Sequence, residues 1–214
     1  MLSLAGSLRK FWLFKKVRPY TTLEVSRLDA LYSFILEANS SLEGDIVECG
    51  TWKGGSAAVM AYVLSKSRVK RNVWLFDSFE GLPAPSEIDG QKARKKYYPG
   101  LLKTPSTNIQ DIFKKLKISS DNVKIIEGWF SETFPKVKIE KIAILHIDAD
   151  FYEPVKMSLE KFYPSVVPGG IVVLDDFGTW EGCRAAFEEF RKKQNKKIDL
   201  IQIDKTAYYF RKLE

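Results

Sequence analysis

Two stretches decide the fold of this chain: His146-Ile147-Asp148-Ala149-Asp150-Phe151-Tyr152 and Gly169-Gly170-Ile171-Val172-Val173-Leu174-Asp175-Asp176. Each contains an apolar run that ends in a pair of carboxylates. Carboxylates beside buried apolar strands are costly unless something compensates them, and a divalent cation with oxygen ligands is a common partner. If the two runs are neighbouring parallel strands, Asp148, Asp175 and Asp176 converge at their carboxyl ends, where open α/β sheets bind ligands. The sequence therefore predicts a hard-metal site in a cleft.

Strand and helix patterns alternate from about residue 45 onward, which predicts an α/β fold. We expect a mostly parallel, seven-stranded sheet with helices on both faces and a terminal antiparallel hairpin. The first four strands are predicted at residues 45–49, 73–76, 123–126 and 142–147. The fifth strand is predicted to follow a turn at Pro168-Gly169-Gly170. The hairpin is predicted to pair residues 198–203 with 206–211.

The N-terminal part of the chain, residues 1–40, is predicted to be helical. Thr21 and Glu24 have the spacing of a capping box, which indicates a helix start. The apolar residues that follow at helical spacing predict the face packed on the sheet. They are Leu28, Leu31, Tyr32 and Ile35.

The length of 214 residues favours a single domain, spanning 1–214. The first 20 residues are apolar but are interrupted by Arg9 and Lys10, so they predict neither a signal peptide nor a membrane span. A helix packed on its own domain is favoured there, and a basic amphipathic segment on a membrane surface is the alternative. The two cysteines, Cys49 and Cys183, have no metal-type spacing and suit a reducing cytoplasm.

The formal net charge is +7, spread over basic runs that interleave with helical apolar positions. This pattern is typical of solvated helix faces, so nucleic-acid binding is disfavoured. The excess positive charge favours an anionic substrate or surface. Residues 78–105 form a long connection that contains Pro83, Pro85, Pro99 and a basic run, and we predict a mobile lid over the cleft.

A glycine-rich turn joins the first strand to the next helix, Val47-Glu48-Cys49-Gly50-Thr51-Trp52-Lys53-Gly54-Gly55-Ser56. It lets a ligand approach the backbone and the helix N-terminus closely, but it is neither a P-loop nor a clean dinucleotide fingerprint. A carboxylate at Glu48 would repel a pyrophosphate and attract an ammonium or sulfonium group. This favours S-adenosylmethionine as the cofactor.

Asp77 ends the second strand, where a carboxylate can accept hydrogen bonds from both ribose hydroxyls of a nucleoside. Phe79 or Trp129 is predicted to cover an adenine face. Together with the glycine turn, these residues predict an adenosyl site at the first three strands.

The chain resembles the macrocin O-methyltransferase (TylF/MycF-like) family of class I S-adenosylmethionine-dependent methyltransferases over nearly its whole length. Besides the glycine turn, four motifs occur in the family's order. They are Phe76-Asp77-Ser78-Phe79-Glu80-Gly81-Leu82-Pro83, Gly128-Trp129-Phe130-Ser131-Glu132-Thr133, residues 146–152 and residues 168–178. The resemblance implies a Rossmann-like class I methyltransferase fold with a lid, a magnesium ion, and methylation of sugar hydroxyls on natural products.

The resemblance also implies roles for residues of this chain. Metal ligation falls to Asp148, Asp175 and Asp176, and Asp150 becomes the candidate general base. The candidate cofactor-binding residues are Glu48, Gly50, Thr51, Gly54, Ser56, Asp77, Ser78, Phe79, Gly128, Trp129 and Asp148. The chain departs from the family at Glu153-Pro154-Val155 and is shorter near its N-terminus and lid, where the acceptor would bind.

Two site residues have alternatives. Asp150 is a base, a fourth metal ligand or a cap for the following helix. His146, the single histidine, lies within an apolar strand, so a satisfied core position is favoured over catalysis.

The sequence therefore predicts a cytoplasmic, magnesium-dependent O-methyltransferase that acts on a vicinal diol. The acceptor is expected to be a small molecule or glycan, most simply a sugar of a glycosylated metabolite or polysaccharide precursor. The enzymatic alternative is a catechol-type methyltransferase. The non-enzymatic one is a binding module for nucleic acid or an anionic surface that has kept the fold. The resemblance implies a homodimer, with the N-terminal apolar segment as a candidate contact.

Overall fold

The computed structural model describes residues 4–194 and 197–213. Within these residues, seven strands form one sheet in the order β3-β2-β1-β4-β5-β7-β6. The strands are β1 (Asp45–Cys49), β2 (Val73–Asp77), β3 (Val123–Glu127), β4 (Ile142–Ile147), β5 (Val166–Leu174), β6 (Ile201–Gln202) and β7 (Tyr208–Arg211). β1 to β5 are parallel, whereas β7 runs antiparallel to β5 and β6. The predicted α/β fold is confirmed.

Helices cover both faces of the sheet. They are α1 (Leu4–Val17), α2 (Val25–Ser41), α3 (Gly55–Ser65), α4 (Gly90–Lys96), α5 (Thr107–Leu116), α6 (Phe130–Thr133), α7 (Tyr152–Phe162) and α8 (Glu181–Lys192). Successive strand residues point to opposite faces, so each buried strand contributes to two cores. Ile46 packs with α1, α2, α3 and α5 on one face, and its neighbour Val47 packs with α7 and α8 on the other.

The predicted N-terminal helical segment contains α1 and α2, while residues 1–3 lie outside the described residues. The capping box predicted for Thr21 and Glu24 is wrong. α2 begins at Val25, and the Glu24 side chain makes no capping hydrogen bond. Instead, Thr21 Oγ1 accepts the backbone N–H of Leu23 at 3.1 Å, so it stabilises the turn before the helix.

The start of β5 also differs from the prediction. Pro168-Gly169-Gly170 does not precede the strand but lies inside it, since β5 already begins at Val166. The extra residues are accommodated by a shift in the pairing with β4, where Ile142 opposes Val166 but Ile144 opposes Ile171. A bulge of this kind keeps the strand in the sheet while bending it.

The terminal hairpin is shorter than predicted. Only Ile201 and Gln202 pair with β7, and residues 203–207 form the connection. The carboxylate of Asp204 accepts the backbone N–H groups of Thr206 and Ala207, both at 2.9 Å, and so replaces strand pairing there.

The predicted lid, residues 78–105, contains α4 and the short 3-10 turn Glu87–Asp89. Its flanks contribute Ser78, Gly81, Leu82, Pro83 and Leu102 to the wall of the main cavity. The segment therefore lies over the ends of the strands, and its opening and closing stay a prediction. Among the described residues, no helix is long and apolar enough to span a membrane.

Candidate active site

A cavity of about 390 Å³ lies at the carboxyl ends of the parallel strands. Its wall includes the residues that directly follow four of them. These are Gly50 and Thr51 after β1, Ser78 after β2, Asp148 after β4, and Asp175 and Asp176 after β5. The volume falls in the usual range for small-ligand sites. The fold therefore gathers the two predicted sites, for cofactor and metal, into one cavity.

The turn after β1 depends on Gly50. Its φ is +89°, and a Cβ there would lie 1.8 Å from the carbonyl oxygen of Asp148. Only glycine lets the two strand ends approach this closely. In the same contact, the Asp148 N–H donates to the Cys49 carbonyl at 2.9 Å. The glycine turn thereby helps to place a predicted metal ligand.

Asp77 holds the same turn from the other side. Its Oδ2 accepts the backbone N–H groups of Thr51 and Trp52, both at 2.8 Å, and its Oδ1 accepts that of Phe79 at 2.7 Å. Three backbone donors on one carboxylate fix both loops relative to each other. Asp77 also lines the cavity. Its predicted contact with a ribose would therefore be a second function beside holding the turn.

The predicted cofactor residues divide into two groups. Those on the cavity wall are Gly50, Thr51, Ser56, Asp77, Ser78, Trp129 and Asp148. Four of the predicted residues do not line the cavity: Glu48, Gly54, Phe79 and Gly128. Thr51 Oγ1 is buried and has no hydrogen-bond partner within residues 4–194 and 197–213, which leaves it available to a ligand.

Phe79 does not cover an adenine face. Its φ is +56° and its side chain is 4% exposed within the core formed with α3 and α5. The left-handed backbone turns the ring inward after β2. Trp129, by contrast, is 38% exposed and on the cavity wall, so it is the aromatic residue placed to contact a base.

The three predicted metal ligands converge as expected. Asp148, Asp175 and Asp176 each offer an oxygen within 4.8 Å of the others. Burial raises the pKa of Asp148 and of Asp176 well above the usual range, and the neighbouring carboxylates raise both further. Asp175 Oδ1 is buried with no hydrogen-bond partner in the described part of the chain. Clustered, desolvated oxygens of this kind fit a hard divalent cation.

Arg27 was missed in the sequence, although it lines the cavity. It forms ion pairs with Asp175 and with Asp204, the latter at 2.8 Å. Burial works against the charge of Arg27, but the two carboxylates outweigh it and raise its pKa. Arg27 lies in the first turn of α2, just before the first buried residue, Leu28. No local sequence pattern links it to Asp175, which lies 148 positions away.

His146 is a fully buried core residue, as favoured, but it is only partly satisfied, because its Nε2 has no hydrogen-bond partner in the described part of the chain. Its Nδ1 lies 3.0 Å from Glu48 Oε1, and its Nε2 lies 3.9 Å from Asp175 Oδ1, too far for a hydrogen bond. Burial disfavours protonation, yet Asp175 and Glu48 outweigh it and raise the pKa of His146 to about 10. Glu48 therefore pairs with His146 inside the sheet and does not line the cavity.

Arg27 and His146 both compensate Asp175. Asp148 and Asp176 form no direct ion pair among residues 4–194 and 197–213, although both face the cavity. Two clustered carboxylates without an ion-pair partner suit the charge of one divalent cation.

Asp150 lies beside the metal cluster on the cavity wall, with an unusual φ of +55°. Its N–H donates to Asp176 Oδ2 at 3.3 Å, and its Oδ1 accepts the indole N–H of Trp180 at 2.8 Å. Burial raises the pKa of Asp150 to about 7; the charges of Asp175 and Asp77 add to the rise, and the Trp180 hydrogen bond opposes it. The indole holds the carboxylate in one orientation, which sequence patterns did not indicate.

Comparison with known proteins agrees with this geometry. The macrocin O-methyltransferase (TylF) family matches residues 16–212. A tetracenomycin rhamnosyl 4'-O-methyltransferase of Streptomyces olivaceus is 32% identical over 197 residues, covering 90% of this chain and 75% of that protein. The demethyldecarbamoylnovobiocin O-methyltransferase of Streptomyces niveus is 30% identical, covering 90% and 76%.

A solved structure shows the same architecture. The O-methyltransferase NovP superposes with a TM-score of 0.84 at 29% identity, over 91% of this chain and 83% of NovP. The match spans the sheet, the glycine turn and the carboxylate cluster, and the fold is that of class I, S-adenosylmethionine-dependent methyltransferases. The chain therefore belongs to the macrocin O-methyltransferase (TylF) family and is a methyltransferase.

Proposed function

We propose that this enzyme transfers a methyl group from S-adenosylmethionine to one hydroxyl of a vicinal diol on a sugar, with Mg²⁺ as a required ion. The observation that carries the proposal is the trio Asp148, Asp175 and Asp176, whose oxygens lie within 4.8 Å of one another. The trio opens into the same cavity as the glycine turn after β1. One cavity thus offers a cofactor site and an acceptor site side by side.

The same three carboxylates would hold the magnesium ion. When bound there, Mg²⁺ would bind two adjacent hydroxyls and lower the pKa of the reacting one. The ligand set supports this because Asp148 and Asp176 form no direct ion pair in the described part of the chain. Arg27 pairs with Asp175 Oδ2 and so preorganises one ligand.

The cofactor would occupy the side of the cavity at β1 to β3. The backbone of the glycine turn, held by Asp77, and the unpartnered hydroxyl of Thr51 would contact its polar groups. Trp129 offers the exposed aromatic face for the adenine. The sulfonium would supply the methyl group to an acceptor bound at the ends of β4 and β5.

In the transfer, the acceptor oxygen forms a bond to the methyl carbon while the carbon–sulfur bond breaks, and the sulfur keeps the electron pair. The acceptor oxygen loses its proton, and Asp150 is the group placed to take it. Trp180 orients that carboxylate through its indole N–H. In-line alignment and proton removal are the two tasks that such a displacement demands of the protein.

The names of the relatives support a glycoside acceptor. The Streptomyces olivaceus protein is named for a rhamnosyl 4'-O-methyl transfer, and the Micromonospora griseorubida relative for mycinamicin III 3''-O-methylation. We propose that the acceptor of this chain is likewise a sugar hydroxyl.

The test is a methyl-transfer assay with S-adenosylmethionine and three acceptors. They are a rhamnoside with a free vicinal diol, the corresponding 3-deoxy-rhamnoside, whose remaining hydroxyls are not vicinal, and catechol. We expect product, detected by mass spectrometry, only with the diol and only when Mg²⁺ is present. Equal turnover of the deoxy sugar would contradict the diol, turnover after EDTA treatment would contradict the metal, and turnover of catechol alone would select the catechol-type reaction.

A further inference from the structure

The outer face of α1 exposes an apolar patch. Leu8 is 59% exposed, Phe11 60% and Trp12 49%, while Leu13 and Phe14 on the opposite face are buried against the domain. Residues 8, 11 and 12 share one face of a helix. Phe11 and Trp12 also contact each other edge to face, with ring centroids 5.8 Å apart. Clustered large apolar side chains on an outer surface mark an interaction site.

The charge around this patch has one sign. Residues 1–23 contain five basic side chains and no carboxylate. Lys10 and Arg18 pair with carboxylates of the next segment, Asp29 and Glu24. Arg9, Lys15 and Lys16 are exposed and form no ion pair with residues 4–194 or 197–213.

The basic side chains adjoin the aromatic ones. Lys15 Nζ lies 5.1 Å from the centre of the Trp12 ring, so an ammonium group borders the apolar patch. Arg9 follows Leu8 and Lys16 follows Lys15 in the sequence, so both basic side chains lie along one side of the apolar patch. An apolar stripe with aromatic residues and a basic border is the arrangement of helices that lie in a membrane interface.

We propose that α1 docks this enzyme on an anionic phospholipid bilayer, with Leu8, Phe11 and Trp12 inserted at the headgroup level and Arg9, Lys15 and Lys16 contacting lipid phosphates. The charge decides between this occupant and a second copy of the chain. A two-fold contact through this patch would bring the basic faces of two copies together, since the same surface meets itself. An anionic bilayer satisfies both the apolar and the basic groups at once.

The docking would bring the catalytic cavity close to the membrane. α1 continues through the turn Arg18–Tyr20 into Thr21, Thr22 and Leu23, which line the cavity with Tyr20. The proposal stands independently of the acceptor, because it uses only the outer face of α1.

The test is co-sedimentation of the full chain with vesicles of phosphatidylcholine and phosphatidylglycerol in a 3:1 ratio, beside vesicles of phosphatidylcholine alone. We expect binding to the anionic vesicles that weakens as salt increases. The double substitution Lys15→Gln with Lys16→Gln should weaken vesicle binding about 25-fold, because each charge near the membrane surface contributes about fivefold to the affinity. Phe11→Ser with Trp12→Ser should weaken it about tenfold or more.

Matched controls separate this site from general charge and exposure. Lys192→Gln with Lys205→Gln removes two exposed charges elsewhere, and Ile201→Ser removes an exposed apolar side chain on the far sheet edge. Both controls should bind vesicles within about twofold of the parent chain, a difference well under 1.4 kcal/mol. Circular dichroism and methyl transfer to a water-dissolved acceptor show whether each variant is folded.

Two outcomes would overturn the proposal. One is no binding to anionic vesicles by the folded parent chain. The other is a parent chain that sediments as a dimer and becomes monomeric on Phe11→Ser with Trp12→Ser, without vesicle binding by either form. That result would assign the face to a second copy.

Discussion

Asp89 accepts a hydrogen bond from the backbone N–H of Tyr152 at 2.6 Å, although the two residues lie 63 positions apart. The other oxygen of Asp89 accepts the N–H and the hydroxyl of Ser86, at 2.7 and 2.8 Å. A Cβ on Gly182 would lie 1.8 Å from Asp89 Oδ1, so glycine is needed for this approach. Tyr152 begins α7, two residues after Asp150, so the bond ties the predicted lid to the loop of the candidate base.

Asp89→Ala should therefore lower methyl transfer more than cofactor binding. It leaves a buried N–H of α7 without its acceptor, which costs about 1–3 kcal/mol of unfolding free energy. We expect kcat to fall about tenfold while the Kd for S-adenosylmethionine changes little, because Asp150 loses its support and the turn after β1 does not. Ser86→Ala is the control, since it keeps the bond to Tyr152; an equal fall in kcat for both variants would contradict the coupling.

Asp176→Asn should weaken magnesium binding without unfolding the chain. The substitution keeps the size of the side chain but removes one of the two carboxylates that form no direct ion pair in the described part of the chain. Calorimetric titration of Mg²⁺ should show an affinity lower by about tenfold or more. Glu153→Gln, at another cavity carboxylate, should bind Mg²⁺ like the parent chain. Unchanged magnesium affinity in Asp176→Asn would remove this residue from the ligand set.

The substitution Asp150→Asn tests whether Asp150 acts as a general base or as a metal ligand. If Asp150 takes the acceptor proton, kcat should fall about 10²- to 10⁴-fold with magnesium and cofactor affinities unchanged. Trp180→Phe, which keeps a ring but loses the indole N–H donor at 2.8 Å, should give a smaller fall of about tenfold. A loss of Mg²⁺ affinity in Asp150→Asn, measured by the same titration, would instead make Asp150 a metal ligand.

Asp77→Ala should weaken cofactor binding. It frees the N–H groups of Thr51 and Trp52, so the turn after β1 loses its fixed orientation. We expect the Kd for S-adenosylmethionine, measured by calorimetry, to rise about tenfold or more, which corresponds to 1.4 kcal/mol or more. Asp111→Ala, at an exposed position of α5, is the matched control. A parent-like Kd in Asp77→Ala would show that the turn is held without this carboxylate.

Asp204 should contribute stability that depends on pH. Burial works against its ionisation, but the N–H groups of Ala207 and Thr206 and the guanidinium of Arg27 outweigh it, so the pKa of Asp204 lies well below its usual range. A carboxylate with a lowered pKa stabilises the fold above the unfolded pKa of about 4, and this is lost as pH falls through the folded pKa.

The measurement is urea unfolding of the parent chain and of Asp204→Asn between pH 7 and pH 3. The variant should be less stable by about 1–2 kcal/mol at pH 7, and the difference should shrink below about pH 4. Asp199→Asn, which removes an exposed carboxylate paired with Lys197, should show a much smaller difference at every pH. A difference for Asp204→Asn that stays constant with pH would show that the charge is not the source of stability.

The sequence was informative wherever a pattern is local and periodic. β1 and β4 begin and end at the predicted residues because short, mostly apolar runs bounded by turn residues favour a buried strand. Carboxylates directly after such strands meet at one edge of the sheet, so the sequence predicted that Asp148, Asp175 and Asp176 converge. The glycine turn was also predicted from its local pattern, whereas the reason for Gly50, at φ +89°, includes the close approach of the Asp148 backbone.

Other features depend on which side chains meet across the fold. Phe79 turns into the core through a left-handed backbone that its residue type does not indicate, and Pro168-Gly169-Gly170 is absorbed by a shift in strand pairing. Local propensity is weak beside such tertiary contacts.

The charges of the site show the same division. By itself, the sequence determined the order of the strands' apolar runs, the carboxylates at their ends and the family. Only the tertiary structure decided that Arg27 pairs with Asp175, that Trp180 holds Asp150 and that His146 pairs with Glu48. The physical reason is that burial and the distances between remote groups set the strength and direction of an electrostatic interaction, and neither is encoded in local spacing.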